Sequence, residues 1–303
     1  MSFDELFERR LILITGKGGV GKTTLSAALA VAAARRGRRS VICEVGGPSQ
    51  IAPLFGAREP GHEPRRVAER VSHSVLSPEK GIRAYLAERI RLPGVVELVF
   101  KQPPVAKFFR AAPAFSEMGV LYAITRLLES KEGGRPWDHV IVDLPASGHA
   151  LGMLEAPFEG KRIFRGGPVR ALCESVEGIL LDRGTTACAV VTLPEELPAT
   201  EAVDLASKLE DRGFGLGALV ANAVETPALD SEEEEALRSL GDRASPHLLE
   251  AAAASSRRAA RHAAVLERLG RELGRPPLPL SLHPGNGAQL VGAIADEIER
   301  QTK

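Results

Sequence analysis

The sequence is poor in aromatic residues, in cysteine and in long apolar runs. Aromatic side chains make up 4% of the 303 residues, which argues against base-stacking platforms and aromatic-lined pockets. The three cysteines, Cys43, Cys173 and Cys188, lie far apart and form no CxxC pair, so the sequence supports neither a disulfide framework nor a structural zinc site. The longest apolar run, residues 25–34, is too short to span a bilayer.

Neither sign of charge is in excess. Thirty-nine lysines and arginines balance 39 aspartates and glutamates, giving a formal net charge of zero. This balance excludes a generally basic nucleic-acid binder, although it leaves room for a local basic patch. The first ten residues, MSFDELFERR, are acidic where a signal peptide would be basic and then apolar. We therefore expect a cytoplasmic protein with no nucleic-acid partner, which meets membranes only indirectly.

Short apolar runs alternate with helix-like stretches along most of the chain. Residues 11–14 indicate a buried strand, which a glycine-rich turn joins to an alanine-rich helix over about 23–36. Continuous apolar strands separated by helices are typical of a parallel sheet covered on both faces. We therefore predict one doubly wound, mostly parallel α/β domain over residues 1–303. The other strand candidates are residues 40–45, 140–143, 188–193, 218–222 and 278–282.

One region departs from this alternation. Residues 78–131 lack a clear strand and indicate several short helices, so we predict a helical subdomain inserted there. Its apolar side chains allow two interpretations, a subdomain that packs its own core or an apolar surface that meets a partner. They include Leu92, Val95, Val96, Leu98, Val99, Phe100, Phe108, Phe109, Phe115, Met118, Leu121 and Tyr122.

A glycine-rich loop follows the first strand and opens the first long helix, in the pattern G-x-x-x-x-G-K-[ST]. It consists of Gly16, Lys17, Gly18, Gly19, Val20, Gly21, Lys22, Thr23 and Thr24. Its glycines allow successive backbone amides to point at phosphate oxygens, and the helix N-terminus adds partial positive charge. We expect Lys22 to neutralise the β- and γ-phosphates of a nucleotide and the Thr23 hydroxyl to bind Mg²⁺.

An aspartate at the end of a later strand completes this pattern. A carboxylate such as Asp143, at the C-terminal end of a strand, is placed to hold Mg²⁺ directly or through water.

The sequence GKGGVGKTT resembles the deviant phosphate loop of the ParA, MinD and ArsA class of ATPases. The stretch 143–151, DLPASGHAL, resembles the switch II motif DTAPTGHTL of the ArsA family, which includes arsenite-pump and tail-anchored-protein targeting ATPases. The resemblance implies ATP as substrate and, through Lys17, a contact with the nucleotide of a facing subunit.

Two later segments resemble the same family. Residues 192–196, TLPEE, resemble a stretch that leads from a strand into a helix, and the resemblance implies a cross-dimer nucleotide contact for Glu195. Residues 218–222 resemble a strand whose terminal asparagine binds adenine, a role that falls to Asn222. An amide side chain suits the adenine edge because it both donates and accepts hydrogen bonds. The alternative for Asn222 is an ordinary residue of a turn at the end of a strand.

The chain departs from the family pattern in switch I. Gly46 stands where the family has an aspartate that orients the attacking water, and Glu44 is the nearest carboxylate. We therefore assign Glu44 a candidate catalytic role and expect turnover that is slow or depends on a partner. Ser49 or Gln50 could position water without acting as a strong base.

The resemblance as a whole implies a Mg-ATP-hydrolysing dimer, of two identical chains or of this chain with a paralogue. We expect its helical subdomain to couple the nucleotide state to a client or partner protein. Two alternatives remain open, a nucleotide-gated binding module with little or no hydrolysis and a ParA/MinD-like positioning ATPase. The cysteines that hold zinc or metalloid in family members have no counterpart here.

Two features near the C-terminus carry further expectations. Arg257, Arg258, Arg261 and His262 are expected to form a solvated helix face, or alternatively to meet an acidic partner. Residues 289–303 place apolar side chains at helical spacing, beside acidic ones that disfavour an anionic membrane surface. We therefore predict a terminal helix docked on the protein.

Overall fold

The computed structural model describes residues 2–90, 94, 101–102, 113–132, 134–239 and 245–302. The strands are β1 (Leu11–Gly16), β2 (Ser40–Val45), β3 (Arg65–Ala68), β4 (Val71–Leu76), β5 (Lys131–Glu132), β6 (Arg135–Pro136), β7 (His139–Asp143), β8 (Thr186–Thr192), β9 (Leu216–Val224) and β10 (Leu278–Ser281). The helices are α1 (Phe3–Phe7), α2 (Lys22–Arg35), α3 (Ile51–Leu54), α4 (Pro78–Ile90), α5 (Pro113–Glu129), α6 (Ser147–Ile163), α7 (Gly167–Leu181), α8 (Glu196–Asp211), α9 (Ser231–Ser239), α10 (Pro246–Leu273) and α11 (Gly287–Arg300).

Eight of the strands form one sheet, in the order β10-β9-β8-β1-β7-β2-β4-β3. All neighbouring pairs are parallel except β3 and β4, which form an antiparallel edge. Strands β5 and β6 form a separate antiparallel pair. The predicted doubly wound, mostly parallel sheet is confirmed, and each of the six predicted strands is present.

Side chains alternate between the two faces of the sheet along each strand, so both faces carry apolar residues, and helices cover both. In β1, Leu11 and Leu13 enter one apolar cluster, whereas Ile12 and Ile14 enter the other. The first cluster also takes buried residues from α5, α6, α7, α8 and α10. The second takes them from α1, α2, α3 and α11.

The C-terminal helix docks on the protein, as predicted. Val291, Ile294 and Ile298 of α11 are buried in the second cluster. At the edge of this contact, the Arg35 guanidinium of α2 donates to the Asp296 carboxylate at 2.5 Å. The acidic residues of α11 therefore lie outside the apolar contact, and two of them, Asp296 and Glu299, pair with Arg35 of the neighbouring helix.

The predicted helical region is described in part. Helices α4 and α5 pack together, and the rings of Tyr85 and Tyr122 meet edge to face with centroids 5.2 Å apart. Met118 and Leu121 are buried in the first apolar cluster together with residues of β1 and β7, so they pack on the sheet and not in a core of their own. Leu92, Val95, Val96, Leu98, Val99, Phe100, Phe108 and Phe109 lie outside the described residues, as does the side chain of Phe115. Within the described part of the chain, no helix is long and apolar enough to cross a membrane.

Candidate nucleotide site

The predicted site residues lie along the carboxyl edge of the sheet, where the strand order reverses. From β1 the chain passes over β7 to reach β2, whereas from β7 it passes over β1 to reach β8. Such reversals leave a crevice outside the carboxyl ends of the central strands, and ligands of open α/β sheets bind there. Residues 17–21 connect β1 to α2 at this crevice, and β7 ends there at Asp143.

Two glycines set the path of the loop. Gly16 has a φ of 147°, and a Cβ added there would lie 2.2 Å from the backbone oxygen of Val191. Gly21 has a φ of 95°, and its Cβ would lie 2.2 Å from Nδ2 of Asn222. Any larger residue would clash and would be strained at these angles. The loop therefore enters α2 close to the neighbouring strands, with the first N–H groups of the helix at the crevice.

Lys22, Thr23 and Asp143 meet at the start of α2. The Thr23 hydroxyl donates to Oδ2 of Asp143 at 2.6 Å, and Nζ of Lys22 donates to the backbone oxygen of Lys17 at 2.9 Å. Burial lowers the pKa of Lys22, although the nearby Asp143 charge opposes the shift. Burial raises the pKa of Asp143 to about 6, although Thr23 and Lys22 favour its ionised form. The site thus holds two opposite charges at a desolvation cost.

The donor set fits a magnesium ion that arrives with phosphate. Oδ1 of Asp143 is buried and has no hydrogen-bond partner among the described residues. The described part of the chain contains no group of three or more His, Cys, Asp and Glu side chains that could bind a metal alone. Mg²⁺ is commonly held by one or two protein ligands together with substrate phosphates and water. Thr23 and Asp143 match that arrangement.

Replacing Asp143 by asparagine is expected to stabilise the protein when Mg²⁺ has been removed by chelation. The folded-state pKa of Asp143 is raised from 3.8 to about 6, so its ionisation costs stability as pH rises through that range. Asparagine removes this cost and keeps an acceptor for Thr23. The free energy of unfolding should therefore rise by about 3 kcal/mol above pH 6 and change little below pH 3.8.

Urea denaturation at the two ends of that pH range measures this difference. Added Mg²⁺ and nucleotide should stabilise the wild-type protein more than the Asp143→Asn variant, because ligands that bind the folded state raise its stability. Equal gains at both ends of the range would show that burial of the Asp143 charge is not the cause.

Glu44 lies opposite Asp143 in the β2–β7 register, but its carboxylate already has four contacts. Oε1 accepts from the backbone N–H groups of Gln50 at 2.7 Å and Ile51 at 3.2 Å. Oε2 accepts from the Ser49 hydroxyl at 2.5 Å and lies 2.8 Å from Nε2 of His73. Burial raises the pKa of Glu44, but hydrogen bonds from its neighbours outweigh burial and leave the pKa below its ordinary value. Glu44 therefore anchors the loop before α3, and its candidate catalytic role remains a prediction.

His73 is a contact that sequence reasoning missed. It lies in β4, next to β2, and is completely buried beneath the loop that Glu44 holds. A histidine in the polar run VSHS gives no local signal of such a contact, because the contact depends on how two distant strands pair. The sequence motif alone therefore could not identify it.

The remaining predicted residues lie around the same crevice. Nζ of Lys17 pairs with the Glu201 carboxylate of α8 at 2.7 Å, and both side chains are partly exposed. Glu195 is exposed at the N-cap position of α8. Nδ2 of Asn222, in β9, donates to the backbone oxygen of Val20 at 2.9 Å. The structure thus brings β8, β9 and the loop together, while Gly18 and Gly19 lie exposed at the loop's tip.

This combination of sheet topology, glycine loop, lysine, threonine and aspartate is that of a P-loop nucleoside triphosphatase. The chain belongs to the anion-transporting ATPase family, also called the ArsA ATPase family, which matches residues 9–166, just over half of the chain. The resemblance found in the phosphate loop and in residues 143–151 is thereby confirmed.

Individual relatives agree with this assignment. The chain is 29% identical to the ATPase BagA of Mycobacterium tuberculosis over 223 residues, 70% of this chain and 64% of that protein. It is 26% identical to protein Rv2184c of the same organism over 97% of this chain and 76% of that protein. It is 27% identical to the arsenical pump-driving ATPase of Escherichia coli over 68% of this chain and 33% of that protein. The match to BagA thus spans less than two thirds of that relative's length.

Proposed function

We propose that this protein binds Mg-ATP and hydrolyses it slowly, as a dimer whose two subunits enclose the nucleotides. The observation that carries the proposal is the contact of Thr23 with Asp143 beside the half-buried Lys22 side chain. A phosphate group placed there satisfies the ammonium and the N–H groups at the start of α2. When bound, Mg²⁺ neutralises phosphate charge, and Thr23 and Asp143 are the residues that would hold it.

Asn222 gives the site its preference for adenine. Its Nδ2 donates to the backbone oxygen of Val20, which orients the amide and leaves Oδ1 to accept a hydrogen bond. The exocyclic amino group of adenine is a donor, whereas guanine presents a carbonyl oxygen at the equivalent position. We therefore expect ATP to bind more tightly than GTP.

Hydrolysis is slow because the switch I segment has no carboxylate that is free of other contacts. Gly46 has no side chain, and the four contacts of Glu44 hold its carboxylate in the loop. A base must reach the water that attacks the γ-phosphate, or at least orient it. Rearrangement of residues 46–50 in the dimer would release Glu44 or Gln50 for that task.

The second candidate function is a nucleotide-gated binding module that does not hydrolyse ATP. The engagement of Glu44 by Ser49, Gln50, Ile51 and His73 is the observation in its favour. The two functions differ in one measurement, the release of phosphate from Mg-ATP by protein that demonstrably binds ATP. Tight binding with no turnover, alone or with a partner protein, would favour the gated module.

Replacing Lys17 by alanine tests the dimer. In the single chain Nζ of Lys17 pairs with Glu201, and both side chains are partly exposed, so the pair contributes little to stability. In a facing subunit the same ammonium could stabilise charge on the transferred phosphoryl group. We expect Lys17→Ala to lower ATP turnover about 100-fold while ATP binding changes less than about threefold.

The measurements are phosphate release, equilibrium ATP binding and the mass of the particle by light scattering with ATP or ADP. Lys208→Ala is the matched control, because Lys208 also pairs with a carboxylate of α8, Asp204, on an exposed surface. A wild-type protein that stays monomeric with Mg-ATP would contradict the dimer. Equal losses of binding and turnover in Lys17→Ala would place Lys17 in its own subunit's site.

A further inference from the structure

A second cleft, of about 850 Å³, lies between α10 and the segments that follow β8 and β9. Its lining includes no residue of the phosphate loop and does not include Asp143. One wall is the basic face of α10, and the other contains Glu195 and Glu196 at the start of α8. The cleft is therefore separate from the phosphate loop, but it shares Glu195 with the predicted nucleotide contacts and reaches the same edge of the sheet.

Four arginines of α10 line this cleft, Arg258, Arg261, Arg268 and Arg271. The spacing of three residues within each of the two pairs places them on one side of the helix, where like charges repel. Helix α10 carries five arginines against three glutamates, so its own sequence does not neutralise this face. An acidic ligand would relieve the repulsion.

Two of these arginines already have partners. Nε of Arg258 pairs with the Glu225 carboxylate at 2.8 Å. The guanidinium of Arg268 donates to the backbone oxygen of Glu196 at 3.2 Å and to the Thr200 hydroxyl at 3.3 Å. These bonds fix the position of α10 against β9 and α8.

The other two arginines are available. Among the described residues, Arg261 and Arg271 have neither an ion-pair nor a hydrogen-bond partner, and both are exposed. An arginine fork binds carboxylates through two parallel hydrogen bonds, which makes it specific as well as strong. The cleft therefore offers two unused carboxylate-binding groups on the same helix.

The cleft also presents apolar surface. Leu193, Val265 and Leu282 line it, and Leu282 is 55% exposed. Leu197, 63% exposed, follows directly after the lining residue Glu196. Leu197 and Leu282 are two of the four large apolar side chains exposed in the described part of the chain. Apolar surface bordered by arginines is typical of protein–protein interfaces.

We propose that this cleft binds an acidic, leucine-containing segment of a partner protein. Its carboxylates would pair with Arg261 and Arg271, and its leucines would cover Leu197 and Leu282. A nucleic acid fits less well, because a phosphate backbone would leave the exposed Leu197 and Leu282 uncovered. The proposal goes beyond ATP hydrolysis and does not depend on it.

The test uses the full chain and a fluorescein-labelled synthetic helical peptide of glutamate and leucine, with binding followed by fluorescence anisotropy. A second peptide, with every glutamate replaced by glutamine, shows whether the carboxylates matter. Arg261→Glu and Arg271→Glu are expected to weaken binding about tenfold each. The matched control is Arg257→Glu, because Arg257 is exposed on the same helix and does not line the cleft.

We expect Arg257→Glu to change the affinity less than about twofold and the glutamine peptide to bind at least about tenfold more weakly. Leu282→Ser should weaken binding about fivefold without adding charge. ATP binding and thermal unfolding of each variant show that the fold is intact. Because ATP binding is measured in the same variants, loss of the cleft and loss of the nucleotide site are distinguishable.

Three results would overturn the proposal. If Arg257→Glu weakens binding as much as Arg261→Glu, the attraction is a general effect of helix charge. If tripolyphosphate or an oligonucleotide displaces the peptide as well as an acidic peptide does, the ligand is a phosphate compound. If the protein associates with itself and Arg271→Glu abolishes this association, the occupant is a second copy of the chain.

Discussion

Replacing Lys22 by alanine is expected to lower the rate of phosphate release from Mg-ATP by about a thousandfold. The Lys22 ammonium lies at the start of α2, beside Asp143, and burial lowers its pKa. A cation in a partly desolvated site stabilises developing phosphate charge far more than it would in water. Its removal also leaves Asp143 without the nearby positive charge, so the carboxylate would repel the nucleotide.

The same variant is expected to bind ATP at least about 30-fold more weakly, because charge-assisted hydrogen bonds to phosphate are lost. Phosphate release and equilibrium binding of a fluorescent ATP analogue measure the two effects.

Lys22→Arg keeps the charge and replaces a compact ammonium by a planar fork, so it should recover little of the turnover. Lys80→Ala, an exposed lysine on α4, serves as the control for a lost surface charge. Turnover that survives in Lys22→Ala would belong to a contaminant or would exclude residues 16–24 as the phosphate site.

The strands at the centre of the sheet could be predicted because their sequences are continuous apolar runs. In β1 all six residues are buried, as expected when helices cover both faces of a parallel strand. The strands β3 and β4, at one end of the sheet, could not be predicted in this way. The centre of β4 is Ser72, His73 and Ser74, which are buried polar residues whose positions follow from pairing with β2. A polar run of this kind indicates a loop when it is considered alone.

The same distinction applies to the candidate site. The phosphate loop is contiguous, so its glycines, Lys22 and Thr23 could be recognised from spacing alone. Asp143 could be placed because it follows an apolar strand that ends at the same edge of the sheet as β1. The contact of Glu44 with His73 and the pairing of Lys17 with Glu201 connect distant segments. They follow from strand register and helix packing, about which a short motif carries no information.

The arginine cleft depends even more on tertiary structure. The sequence indicates a basic helix face at residues 257–262, with an acidic partner as one interpretation. Which arginines have partners depends on where a helix of 28 residues lies relative to α8 and β9. Arg258 and Arg268 are occupied by neighbouring segments, whereas Arg261 and Arg271 remain available in the cleft. The structure therefore identifies which two arginines of the basic face are available to bind a ligand.

The entry to the phosphate loop should tolerate no side chain at Gly16. In Gly16→Ala the new Cβ would lie 2.2 Å from the backbone oxygen of Val191 in β8, at a φ of 147° that L-residues rarely adopt. Val191 is held in the middle of the sheet by its neighbours, so the clash cannot be relieved by turning a side chain. We expect the free energy of unfolding to fall by about 3–5 kcal/mol.

Gly18→Ala is the matched control for that loss. Gly18 lies in the same loop and is exposed, and a Cβ added there would have no atom within 4 Å. Its effect on the free energy of unfolding should stay within about 0.5 kcal/mol, because exposed substitutions that create no clash are nearly neutral. Urea denaturation of both variants in the absence of nucleotide measures the contrast. If Gly16→Ala is as stable as Gly18→Ala, β1 and β8 are not as close at this point as the structure requires. In that case the loop would have to leave the sheet by another path, and the contact of Asn222 with Val20 would have to change with it.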